Sequence, residues 1–259
     1  MDTPLREEPA VTLTRDDGVL IVRLNRPSQR NAVNEALAKG VSAAMDELDS
    51  DPALRVGVIT GVGAGFCSGM DLKAFLTGEK PGTERGFAGI VYKPPQKPII
   101  AAIEGFAVAG GLEVAMSCDL IVAARGAKLG VPEVKRGLVA AAGGLMRMPK
   151  RIPHQIAMYL AITGELISAE RAYEVGMITE LCEPGQAFER ALALARLVAS
   201  NAPLAVQASK AIVRDALNFD EEGGWKMQDR VGLPALQTED AQEGARAFAE
   251  RRAPVWKGR

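Results

Sequence analysis

Hydrophobic positions along this chain fall into short continuous runs divided by glycine, proline and aspartate, and later into longer stretches at helical spacing. Residues 11–15 and 19–24 flank Asp16-Asp17-Gly18, and an Asp-Gly turn between β-prone runs predicts a hairpin. Over residues 34–48, Leu37, Val41, Ala44, Met45 and Leu48 recur on one face, which predicts a helix. Residues 56–60 form an apolar run bounded by turn residues, the pattern of a strand buried in a parallel sheet. A glycine-rich turn at 61–69 is expected to lead into a helix from Met70. The order then repeats: strand 99–103, turn 105–111, helix 112–118, strand 120–124. The fold class is therefore α/β, built of stacked β-β-α units.

After about Pro149 the strand signals fade, and helices are predicted near 155–162, 169–175, 188–200, 204–217 and 240–251. Ser168 stands as an N-cap and Pro203 as a first helical residue. These signals divide the chain into a core over 1–199 and a helical C-terminal module over 200–259.

Composition narrows the chemistry. The formal charge of -1 over 259 residues provides no global basic field for nucleic acid or an anionic membrane. Cys67, Cys118 and Cys182 show neither metal spacing nor a paired framework, as expected of reduced thiols in a cytoplasmic protein. The first eight residues carry acids and a proline where a signal peptide needs a basic start, and are read as a short flexible tail. No window supplies the uninterrupted apolar stretch of a spanning helix. With His154 the only histidine, and read as an ordinary helix-start residue, acid-base work near neutral pH falls to carboxylates whose pKa is raised by burial.

Two glutamates suit that task. Glu113 follows Ala109-Gly110-Gly111-Leu112 and Glu133 follows Gly130-Val131-Pro132, each just past a turn in an apolar stretch where an ionised carboxylate is costly unless paired or used. Two glycine-rich turns, Gly65-Phe66-Cys67-Ser68-Gly69 and Ala109-Gly110-Gly111, each run from a buried strand into a helix and can leave backbone N–H groups free. A pair of such donors makes an oxyanion hole, which stabilises the anion formed from a carbonyl.

Four blocks carry a closer likeness: Asn25-Arg26-Pro27 with Asn31-Ala32; Gly65 through Leu72; Gly105 through Glu113; and Pro132-Glu133-Val134-Lys135-Arg136-Gly137-Leu138. Together they resemble the crotonase superfamily of enoyl-CoA hydratases and isomerases over nearly the full length. The resemblance implies a crotonase-like spiral with a C-terminal helical trimerisation module, assembled as homotrimers or homohexamers. It implies that the N–H groups of Met70 and Gly110 grip the thioester carbonyl of an acyl-CoA. Glu113 would activate water at C3 and Glu133 would supply the proton at C2. Substrate contacts are expected at Ala32, Ser68, Gly69, Met70, Asp71, Leu72 and Pro132, with Arg26, Lys73 and Lys257 as cations for the CoA phosphates. Asp71 is also read as the cap of the following helix. No metal and no cofactor beyond the substrate's own coenzyme A are implied.

The stretch Gly86-Phe87-Ala88-Gly89 and the tail ending Pro254-Val255-Trp256-Lys257-Gly258-Arg259 resemble the crotonobetainyl-CoA hydratase branch, also called carnitinyl-CoA dehydratase. Alternatives are isomerisation of 3-enoyl-CoA to 2-enoyl-CoA and a noncatalytic acyl-CoA-binding protein; retention of both acids favours hydration. Three departures stand out. Ala109 replaces the first glycine of the family's usual triplet, the alanines of Val139-Ala140-Ala141-Ala142 replace a usual proline-glycine, and Glu104, read as a surface acid, replaces a common asparagine.

Overall fold

The computed structural model describes residues 8–259, so the predicted N-terminal tail lies outside it apart from Glu8. In chain order the elements are β1 (Val11–Asp16), β2 (Val19–Leu24), α1 (Glu35–Ser50), β3 (Val56–Gly61), α2 (Leu72–Leu76), β4 (Gly82–Thr83), β5 (Gly86–Phe87), β6 (Ile99–Ile103), β7 (Phe106–Val108) and α3 (Gly110–Ala115). There follow β8 (Leu120–Ala124), β9 (Lys128–Gly130), α4 (Gly144–Arg151), α5 (His154–Thr163), β10 (Ile167–Ser168), α6 (Ala169–Glu174), β11 (Glu180–Cys182), α7 (Ala187–Ala199), α8 (Pro203–Asp215), α9 (Glu221–Leu236) and α10 (Glu239–Glu250).

Six strands form the main sheet in the order β1-β2-β3-β6-β8-β11, antiparallel only at the β1-β2 hairpin. Asp17 and Gly18 both take positive φ, the conformation that matches a two-residue turn to strand twist. Alternate residues of the parallel strands serve two cores. Leu20, Val22, Leu24 and Ile59 pack toward Leu37, Val41 and Met45 of α1; Val19, Ile21, Val56 and Val58 pack with Ala187, Ala191 and Ala195 of α7. Their unbroken apolar runs follow from burial on both faces. A smaller sheet, β10-β9-β7, stacks the second strand of successive units and carries the turns that form the site.

Several boundaries differ from expectation. The helix after the first glycine turn starts at Leu72, because Met70 bridges Val33 and Asp71 caps the helix through Ala74 N at 3.2 Å. The turn expected over 105–111 contains β7, and α3 begins at Gly110 and ends at Ala115. Strand signals do not end near Pro149: β10 and β11 follow, and β11 completes the main sheet by pairing with β8. These strands have two or three residues, too few for periodicity to show. Helix α4, with Pro149 inside it, and α9, with Gly223, Gly224, Gly232 and Pro234, carry no clear helical signal in the sequence, because such residues disfavour helix interiors. Glu104 is not a free surface acid; its Oε1 accepts Ala187 N at 2.9 Å and caps α7. Among the described residues no single helix is long and apolar enough to cross a membrane.

Candidate active site

The two glycine turns meet. Val33 donates to Gly69 O at 2.7 Å and accepts from Asp71 N at 2.9 Å, so the strand-like pairing uses the residues on either side of Met70 and turns its own N–H away. Ala109 N donates to Gly130 O at 2.9 Å, and Gly110 opens α3, where a first-turn N–H has no partner within the helix. Among the described residues neither Met70 N–H nor Gly110 N–H donates to a protein acceptor. A β-carbon on Gly69 would stand 3.0 Å from Gly110 N, and one on Gly111 would stand 2.1 Å from Cys67 O. Glycine at these positions lets the turns approach until both donors face one space.

Glu113 lies in the first turn of α3, and Glu133 is the second residue of the 3-10 turn Pro132–Arg136. Burial pushes both carboxyl groups up, but their surroundings differ. Glu113 Oε1 accepts Gly144 N at 2.9 Å, and this bond, the nearby Ala142 backbone and, least of all, the Arg147 charge offset part of that rise. Glu133 reaches about 7, because desolvation is reinforced by the charge of Glu113 and its buried Oε2 has no hydrogen-bond partner among the described residues. Of the two, Glu133 has the more strongly raised pKa.

Both carboxyl groups border a cavity of about 720 Å³ that Met70, Gly110, Ser68, Leu72 and Pro132 also line. Its wall is largely apolar, with Phe87, Val91, Tyr92, Leu138 and Val139, while Arg30, Lys135 and Arg136 add positive charge. A slot with two convergent N–H groups and two acids of unequal proton affinity is equipped to polarise a carbonyl and exchange protons at neighbouring carbons.

Comparison with known proteins identifies the family. The enoyl-CoA hydratase/isomerase family model matches residues 14–259. Enoyl-CoA hydratase EchA19 of Mycobacterium tuberculosis is 38% identical over 97% of this chain and 97% of its own. Carnitinyl-CoA dehydratase of Salmonella typhi is 40% identical over 95% of this chain and 98% of its own. The crystal structure of an enoyl-CoA hydratase from Mycobacterium tuberculosis H37Rv superposes with a TM-score of 0.95 at 50% identity, covering 97% of this chain and all of that one. The chain belongs to the enoyl-CoA hydratase/isomerase family. The carnitinyl-CoA dehydratase relative supports the resemblance to the crotonase superfamily and its carnitinyl-CoA branch.

Within this hydratase/isomerase fold the expected contacts do not all share the cavity. Arg26 is bound internally, with Nη2 3.0 Å from Asp71 Oδ2 and a further bond to Ala32 O; it supports the turn instead of standing free for phosphate. Asp71 thus both caps α2 and holds Arg26. Ala32 and Gly69 shape the backbone nearby, and Lys73 is exposed on α2 outside the cavity lining. Lys257 pairs with Glu239 at 3.0 Å in a separate cleft between α10 and the C-terminal tail. The cations that do line the cavity were missed. Arg30 precedes the Asn31-Ala32 motif, and Lys135 and Arg136 follow Glu133 in its 3-10 turn, so motif adjacency was the available signal. His154 begins α5, and all three cysteines are buried and free, as expected.

Proposed function

We propose that this protein is a hydro-lyase that adds or removes water across C2–C3 of an acyl-CoA thioester. The observation that carries the reading is the unequal pair of carboxyl groups beside two unengaged N–H donors. In the hydration direction the Met70 and Gly110 N–H groups would hold the thioester oxygen as negative charge develops. Glu113, the carboxylate, takes a proton from water as its oxygen bonds to C3, and Glu133 gives its proton to C2. Dehydration reverses these steps. Activity should fall as pH rises through about 7, where Glu133 loses the proton that C2 needs.

Arg30 and Arg136 suit the phosphates of the coenzyme A portion, which is part of the substrate, whereas Lys135 is paired with Glu165 at 2.6 Å; the reaction draws on no other cofactor. Crotonobetainyl-CoA is the narrower substrate reading. Its support is the 40% identity to a carnitinyl-CoA dehydratase and the aromatic side chains of Phe87 and Tyr92 on the cavity wall, which can face a quaternary ammonium group. Assembly as a trimer or hexamer through the 200–259 module is supported by Val213, Leu217, Trp225, Leu236 and Phe248, all exposed on that module. Three free buried thiols suit a cytoplasmic setting.

Hydration of crotonyl-CoA and crotonobetainyl-CoA, followed by loss of enoyl-thioester absorbance, tests the reading with Glu113→Gln, Glu133→Gln and the double variant as controls. Each single variant should lose roughly 10²- to 10⁴-fold in rate. Wild-type turnover no faster than the double variant would overturn it, and 3-enoyl to 2-enoyl conversion without hydration would establish the isomerase instead.

A further inference from the structure

Behind Glu113 lies a second arrangement that the proposed chemistry does not itself require. Arg147, half-buried in α4, sends Nη2 to Val91 O at 2.6 Å and Nη1 to Ala142 O at 3.3 Å. Both acceptors belong to residues of the cavity wall, but Arg147 does not line the cavity. The turn it holds by Ala142 O presents the N–H of Gly144 to Glu113 at 2.9 Å.

Two successive glycines record how tightly the parts fit. A β-carbon on Gly143, whose φ is +96°, would stand 2.3 Å from Arg147 Nη1, and one on Gly144 would stand 2.9 Å from Glu113 Cγ. Gly143 makes room for the guanidinium and Gly144 for the carboxylate. Arg147 has no carboxylate within ion-pair distance among the described residues, so its charge is left to the two carbonyls and to the field of Glu113.

We infer that Arg147 is a positioning residue for this site: its planar fork ties the wall at Val91 to the 142–144 turn and sets a positive charge behind Glu113. The inference rests on the proposed hydration reaction. Its electrical part is separable from its mechanical part, because lysine keeps the charge but cannot reproduce the fork. The other charged groups around Glu113 are Glu133 and Arg136 on the 3-10 turn, Arg151 on α4 behind Arg147, and Arg30 and Lys135 at the cavity. None of these changes in the comparison.

Glu113 must be ionised to take a proton from water, so kcat/KM falls on the acid side as Glu113 gains a proton. Removing a nearby cation raises the pKa of a carboxyl group. Arg147→Gln should therefore move the acid limb of kcat/KM toward neutral pH and lower kcat roughly 10- to 100-fold. Arg147→Lys should leave that limb in place, hold KM within about twofold and lower kcat roughly tenfold through loss of the fork alone. Circular dichroism checks that each variant is folded. A folded Arg147→Gln variant with the wild-type acid limb overturns the inference. Should the glutamine variant not fold, wild-type kcat in Arg147→Lys overturns it. An inactive wild type instead sinks the hydration reading itself, and the inference with it.

Discussion

Gly69 lies against Gly110, so that a β-carbon on the first would stand 3.0 Å from the amide nitrogen of the second. It would also meet Ala109 Cβ at 2.9 Å, and the φ of +95° at Gly69 disfavours any side chain. Gly69→Ala should therefore displace the Gly110 donor. Loss of one such donor costs roughly 10²- to 10³-fold in rate. Steady-state kinetics on crotonyl-CoA should show this loss in a variant whose circular dichroism matches wild type. A folded variant within about fivefold of wild-type kcat would contradict the assignment of Gly110.

Ala109 adopts φ 53° and ψ -133°, a region that glycine occupies without strain and alanine does not. The conformation is imposed by Ala109 N–H to Gly130 O on one side and by the start of α3 on the other. Ala109→Gly should relieve roughly 1–3 kcal/mol of strain while giving up roughly 0.5–1 kcal/mol of chain entropy. The expected net gain is about 1 kcal/mol in urea unfolding, with activity close to wild type because the donor is the next residue. A loss of stability would show that Ala109 Cβ packing against Gly69 outweighs the strain.

How much of this was legible in sequence depended on contact range. Asp17-Gly18, the Asp71 cap and the apolar runs of β2, β3, β6 and β8 are local signals, and each produced the element expected. Glu113 and Glu133 stood out because charge is costly in apolar chain. The roles of Arg26 and Arg147 were hidden, since their partners Asp71 and Val91 are distant in sequence and reach them only through the fold. Strand β11 was hidden for a related reason: Glu180-Leu181-Cys182 carries no strand pattern of its own and is recruited by the exposed edge of β8.

Arg85, like Arg147, anchors the wall segment. Its buried guanidinium is 2.7 Å from Asp46, 3.2 Å from Asp49 and 2.7 Å from Lys93 O, fastening the chain around Phe87 and Tyr92 to α1. Arg85→Met would leave Asp49 and Lys93 O short of a donor and free the segment. Because Asp46 is largely exposed, the expected cost is roughly 2–3 kcal/mol, below that of breaking a fully buried pair. Urea denaturation measures the cost. Acyl-CoA substrates of increasing bulk should lose discrimination in kcat/KM, whereas an unchanged substrate profile would separate this anchor from the shape of the cavity.

Glu133 should make stability depend on pH in a direction opposite to that of an ion-paired acid. Its folded pKa of about 7 lies above the ordinary glutamate value of 4.5, so the folded state holds its proton more tightly than the unfolded chain does. Its contribution is then fully present below pH 4.5 and is lost progressively as pH rises toward 7. Glu133→Gln removes that titration. The variant should match wild type near pH 4.5 and exceed it above pH 7 by roughly 1–2 kcal/mol, the free-energy equivalent of the shift after discounting for solvent screening of a half-buried group. Denaturant unfolding at several pH values gives the difference curve directly. The same substitution removes the C2 proton donor, so the stabilised variant should be the slower enzyme, and a flat difference curve would mean that Glu133 is ionised at neutral pH and cannot be that donor.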